Sequence, residues 1–171
     1  MFTNQQINLE TLPSIDDVDF KPISKQYLKI IVINRVFLYL LIMAGLFFAK
    51  FMVKEDNFHS LFWYAFALAV IFFILNLITA LMAFKKRKYA IREQDVIYSQ
   101  GLLVSSMATV PISRVQHIEI SRSWLARKLN LATLKIFTAG ESGIDLKIDG
   151  LDYSEAQKIN DFLSKKVNGP D

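Results

Sequence analysis

From Leu61 to Phe84 the chain runs for twenty-four residues without a charge, and the run ends at Lys85-Lys86-Arg87-Lys88. As a helix rising about 1.5 Å per residue, this segment is about 36 Å long. That is enough to cross a hydrocarbon core of about 30 Å with some tilt. A second apolar segment precedes it, from about Ile30 to Val53. Its strictly uncharged part, Val36 to Ala49, is shorter, but Arg35 and Lys50 stand near its ends, where long side chains reach the interface. Only Lys54 to Asn57 is polar between the two segments, so the pattern predicts an antiparallel transmembrane hairpin.

After Lys88 the period of the pattern drops to two. Tyr89 to Arg92 and Val96 to Ser99 read as short strands separated by Glu93-Gln94-Asp95. Gly101 marks a turn, Pro111 limits sheet pairing, and Val115 to Ile120 alternates with Ile118 and Ile120 on one face. Trp124 to Leu129 breaks the alternation and predicts a helical turn, ended by Asn130, which tolerates left-handed geometry. Leu134, Ile136 and Thr138 form one strand face and Ile144, Leu146 and Ile148 the next, with a hairpin at Ala139 to Gly143. A closing helix carries its apolar stripe at Ala156, Ile159, Leu163 and Val167, and Ser24 is the expected N-cap of the first membrane helix.

The fold class predicted is a membrane α-helical hairpin with two transmembrane helices, plus a cytoplasmic mainly-β domain with one C-terminal capping helix. The divisions expected are 1–24 an acidic cytoplasmic tail, 25–53 the first transmembrane helix, 54–60 an external loop, 61–84 the second helix and 85–168 the domain. Orientation follows from charge, because Lys and Arg beside a span stay on the cytoplasmic side. Lys21, Lys25, Lys29 and Arg35 flank the first span and the basic cluster follows the second. Both termini are therefore expected in the cytoplasm, in a bacterial cytoplasmic membrane.

Composition changes this picture little. Hydrophobic residues make up 53% and Phe numbers 14, as membrane segments require. The net charge of +4 resides in the basic cluster, since residues 1–84 carry six basic and six acidic side chains and the domain without the cluster is neutral. Nucleic acid is thus not the expected partner, whereas the lipid bilayer is. No cysteine is present, which excludes disulfides, thiolate zinc sites and a cysteine nucleophile. His59 and His117 fall on opposite sides of the membrane by this topology, and no Gly-rich phosphate loop, nucleophile elbow or HExxH helix occurs. No catalytic residue, cofactor or metal is expected.

Three stretches carry a family likeness: Tyr98-Ser99-Gln100-Gly101-Leu102-Leu103, Val110-Pro111-Ile112-Ser113-Arg114-Val115-Gln116, and Leu129-Asn130-Leu131-Ala132-Thr133-Leu134-Lys135-Ile136, with Thr138-Ala139-Gly140 after them. With the two-span anchor, the chain resembles bacterial pleckstrin-homology (PH-like) membrane proteins of the YdbS type over about residues 22–167. Asn130 stands where relatives often have glycine. The resemblance implies a strongly bent seven-strand sheet corked by the last helix. It also implies a non-catalytic, membrane-anchored subunit that docks on a membrane protein with related PH-like domains in a cell-envelope complex. A membrane-tethered module sensing anionic lipid headgroups is the alternative, and a homo-oligomer is among the partner states to be considered.

Three groups of residues are candidates for function. Trp124, Leu125, Arg127 and Leu129 form either a partner surface or a plug over an open end of the sheet. Lys85, Lys86, Arg87 and Lys88 would touch anionic lipid. Asn34 or Arg35 should approach Asn76 inside the membrane, because position 35 on the way out lies level with about position 77 on the way back.

Overall fold

A computed structural model describes residue 15 and residues 18–53, 56–102, 104–139 and 144–168. Two long helices, α1 (Tyr27–Met52) and α2 (Asp56–Lys85), form the hairpin. They pack through aromatic rings, Tyr39 on Phe73 and Phe47 on Phe62 and Phe66. Large apolar side chains such as Phe37, Leu40, Phe48 and Phe72 point outward instead. A helix pair folded in water would hide them; lipid is the solvent this surface suits. α2 begins at Asp56, inside the segment 54–60 expected as a loop, because hydropathy marks where lipid starts and a helix can continue past it into polar sequence. Residues 54 and 55 lie outside the described residues.

The remainder is mainly β. Seven strands are formed by the described residues: β1 (Lys21–Pro22), β2 (Lys88–Ile91), β3 (Asp95–Gln100), β4 (Ser106–Pro111), β5 (Val115–Ser121), β6 (Leu131–Thr138) and β7 (Ile144–Asp152). They make two antiparallel sheets, β1-β2-β3-β4 and β5-β6-β7, where the family resemblance implied one bent sheet. The break falls after Pro111, where a 3-10 turn, Ile112–Arg114, leads into β5. The Ile112 N–H donates to the Gln94 carbonyl at 2.8 Å and holds that corner to the β2–β3 hairpin. Gly101 has φ +114°, and a Cβ there would collide with the Val104 carbonyl, so this turn requires glycine. The expected hairpin at Ala139 to Gly143 lies largely outside the described residues.

In the second sheet Leu134, Ile136, Leu146 and Ile148 face inward as their alternation predicts. Leu134 pairs with Ile148 and Ile136 with Leu146, and all four are buried. Between β6 and its predecessor lies α3 (Trp124–Lys128), and α4 (Tyr153–Asn168) closes the domain. Ala156, Ile159 and Leu163 of α4 join the core with Val96, Tyr98 and Leu134, while Phe162 is partly buried and Val167 is exposed.

The N-terminal boundary differs from the sequence reading. Residues 21 to 24 are not tail but part of the domain. β1 pairs with the outer edge of β2, Lys21 opposite Tyr89, and Ile23 is buried in the core. Ser24 does not cap α1. The residue before that helix is Gln26; Ser24 instead ties the approach to β7, its N–H donating to the Gly150 carbonyl at 2.8 Å and its carbonyl accepting the Tyr27 N–H at 3.0 Å.

Candidate functional site at the hairpin–domain junction

The membrane hairpin is stitched to the domain at the first turn of α1. Gly150 in β7 has φ +78°, and a Cβ on it would lie 2.5 Å from the Tyr27 ring. Glycine therefore serves twice here, supplying a backbone shape that L-residues avoid and leaving room for Tyr27. Lys21 forms an ion pair with Glu155 at the start of α4. α1 thus leaves the domain from a fixed point.

α3 packs beside this point. The Ser123 hydroxyl accepts the Ala126 N–H at 3.2 Å as an N-cap, and Asn130, at φ 53°, ends the turn in the left-handed geometry expected. Ala126 is buried with Ile30 of α1 and Leu131 of β6, and Leu125 and Leu129 pack partly buried against that cluster. Arg122 pins the segment by donating to the Leu131 carbonyl at 3.1 Å while lying 3.9 Å from the Tyr153 ring centre. Trp124 points the other way and is 63% exposed, with the Lys128 ammonium 4.5 Å over its ring. Arg127 is exposed beside it. The four candidate residues thus divide between Leu125 and Leu129 facing the hairpin and Trp124 and Arg127 facing outward.

The basic cluster also divides. Lys85, Lys86 and Lys88 are exposed, whereas Arg87 is half-buried and turns back over the Tyr27 ring, 5.9 Å from its centre. Its charge reaches Tyr98 in β3. Burial pushes the Tyr98 hydroxyl up to about 12, with Arg87 opposing the shift and Asp149 adding to it. Within the hairpin, Arg35 Nη1 donates to Asn76 Oδ1 at 2.7 Å, while Asn34 is exposed on the neighbouring face. His117 is exposed on β5, 5.4 Å from the Phe137 ring, and the His59 side chain lies outside the described residues. Among the described residues, no group of three His, Asp or Glu side chains is placed to hold a metal ion.

Two long apolar helices, a β-rich domain and a capping helix are the architecture to be matched. The family model for the bacterial PH domain matches residues 30–167. The chain belongs to the bacterial PH domain family. It is similar to the UPF0699 transmembrane protein YdbS of Bacillus subtilis (strain 168), with 30% identity over 117 residues, covering 66% of this chain and 72% of that one. A solved structure, a duf1696 family protein with a pleckstrin-homology domain from Shewanella loihica, shares 17% identity at a TM-score of 0.36. It covers 46% of this chain and 68% of that one. This bacterial PH-domain protein is accordingly a transmembrane protein with two candidate spans, Tyr27–Met52 and Leu61–Lys85. The matched region contains the whole junction from Ile30 onward; β1 and Tyr27 precede it.

The sequence reading missed Gly150 and the segment around Ile23. An isolated glycine inside a strand pattern signals close approach by another chain segment, so Gly150 was discoverable.

Proposed function

We propose that this PH-domain protein is a non-catalytic, membrane-anchored interaction subunit that docks on another membrane protein carrying related PH-like domains, within a cell-envelope complex. Both termini are on the cytoplasmic side in this reading. The observation that carries it is the exposure of Trp124 on a turn whose other apolar residues are packed. Trp beside Arg is a frequent anchor of protein interfaces, and Arg127 is adjacent. The turn is braced by its cap, by Arg122 and by α1, so docking there would cost little ordering entropy.

Purification of the full chain in mild detergent tests this. A stoichiometric membrane protein with PH-like domains should accompany the native chain, and Trp124→Ser should lose it while the domain stays resistant to protease. Co-purification unchanged by Trp124→Ser would refute the anchor. The exposed Lys85, Lys86 and Lys88 favour a second reading, a module drawn to anionic headgroups at about 1 kcal/mol per basic residue. Bound anionic lipid with no protein partner would support that reading instead.

Orientation has its own test. In intact cells, Ser60→Cys should be labelled by an impermeant thiol reagent and Lys166→Cys should not. The opposite pattern would reverse the topology.

A further inference from the structure

A cavity of about 370 Å³ opens between α1 and α2 at the end of the hairpin nearest the domain. Its polar lining consists of Tyr27, Asn34, Arg35 and Arg87. Ile31 and Leu38 of α1 form one apolar wall, and Ala80 and Ala83 of α2 leave a notch opposite them. We propose that this groove is a binding site for one anionic glycerophospholipid, with the phosphodiester held at the alanine notch between Arg35 and Arg87 and an acyl chain lying along Leu38. The inference goes beyond the docking of a protein partner and does not depend on it.

Charge is the first argument. Two guanidinium groups line the groove and no carboxylate does; among the described residues neither Arg35 nor Arg87 is in an ion pair. Arg35 has five N–H donors and gives one of them to Asn76. An arginine about 12 Å along a membrane helix from its first residue is costly unless its remaining donors meet an anion or water. A phosphate diester offers two unesterified oxygens to a planar fork of donors, the geometry for which Arg is suited.

Position is the second argument. Lys85 and Lys86 are exposed and Lys88 lies 4.2 Å over the Phe20 ring, whereas Arg87 alone of the cluster lines the groove. Diffuse attraction to a charged surface needs no such placement, whereas a discrete site does. Arg35 lies level with Asn76, and Ala80 and Ala83 fall between that level and Arg87, so the alanine notch leaves room for a phosphate between the two guanidinium groups. Leu38 lies a turn nearer the middle of the hairpin, where a tail would begin. Basic pockets between membrane helices at the headgroup level are known to hold anionic lipid heads.

Native mass spectrometry of the full chain released from nanodiscs tests the site. In discs of phosphatidylcholine with a minority of phosphatidylglycerol, one phosphatidylglycerol should be retained per chain. Arg35→Gln and, outside the spans, Arg87→Gln should each lower retention about tenfold, the equivalent of one charge-assisted hydrogen bond. Lys85→Gln with Lys86→Gln should leave it unchanged. Arg87→Gln keeps the test decisive if Arg35→Gln fails to insert. Equal retention of phosphatidylcholine, or loss on Lys85→Gln/Lys86→Gln but not on Arg87→Gln, would overturn the proposal. Displacement of the lipid by inorganic phosphate would overturn it too, assigning the groove to a soluble anion. So would a co-purifying protein lost on Arg87→Gln while phosphatidylglycerol stays bound.

Discussion

The hairpin and the domain use similar apolar residues in opposite directions. In the domain Leu134, Ile136, Ile148 and Leu163 are fully buried, whereas in the hairpin Phe51 is 81% exposed and Phe37, Leu40 and Phe48 also face outward. What differs is the solvent each was built for. In water, apolar side chains gain about 25 cal/mol per Å² by turning inward, and this force assembles the two sheets under α4. In lipid that gain vanishes between helices, and association falls to close packing and to polar contacts. The hairpin accordingly meets through aromatic rings and through the Arg35–Asn76 bond.

The largest expected effect comes from putting the same charge into each region. Leu163→Asp would leave a carboxylate unpaired against the core, at a cost of about 3–5 kcal/mol, a large fraction of the stability of a small domain. Protease resistance of the domain should disappear while the chain still inserts into the membrane. Leu40→Asp should do the reverse, raising the cost of insertion by about 3 kcal/mol while the domain of the inserted fraction stays resistant. If either substitution damaged both regions equally, the division into two solvents would be wrong.

A smaller effect is expected where the regions are joined. Gly150→Ala places a methyl group 2.5 Å from the Tyr27 ring and forces alanine to φ +78°. The backbone part costs about 1–2 kcal/mol and the collision adds to it. Thermal unfolding of the full chain should shift accordingly, and the shift should shrink in a Tyr27→Ala background, where only the backbone part remains. Equal shifts in both backgrounds would show that Tyr27 does not rest on Gly150.

The two regions were also unequally legible in the sequence. Strand faces at Leu134, Ile136, Leu146 and Ile148 follow from period two, and the left-handed Asn130 from its place after a short turn, because both are local consequences of sterics. The Arg35 and Asn76 positions follow from counting along two antiparallel helices. β1 carried no such signal. Two residues, Lys21 and Pro22, cannot show a period, and their partner β2 lies beyond the whole hairpin. The same non-local pairing hid the role of Ser24, whose N–H donates to the Gly150 carbonyl of β7. The start of α2 at Asp56 was invisible for another reason, since hydropathy reports lipid and not hydrogen bonding. Trp124 could not be placed because a five-residue turn has too few positions to define a face; its neighbours on α1 and β6 decide it.

The smallest effect compares one polar pair in each solvent. On the domain surface Lys135 meets Glu119 at 2.9 Å, and in the hairpin Arg35 meets Asn76 at 2.7 Å. Water competes for the first pair and salt screens it, so Glu119→Gln should change domain stability by no more than about 0.5 kcal/mol. Lipid offers Asn76 no substitute partner, and Asn76→Leu should weaken the hairpin by about 1 kcal/mol, read from unfolding in mixed micelles of rising SDS content. The effect stays modest because a freed Arg35 can extend to the headgroups. Cysteines at positions 35 and 76 should cross-link within one chain. Cross-linking only between chains, with Asn76→Leu neutral for the monomer, would mean that Asn76 serves an interface with a second subunit.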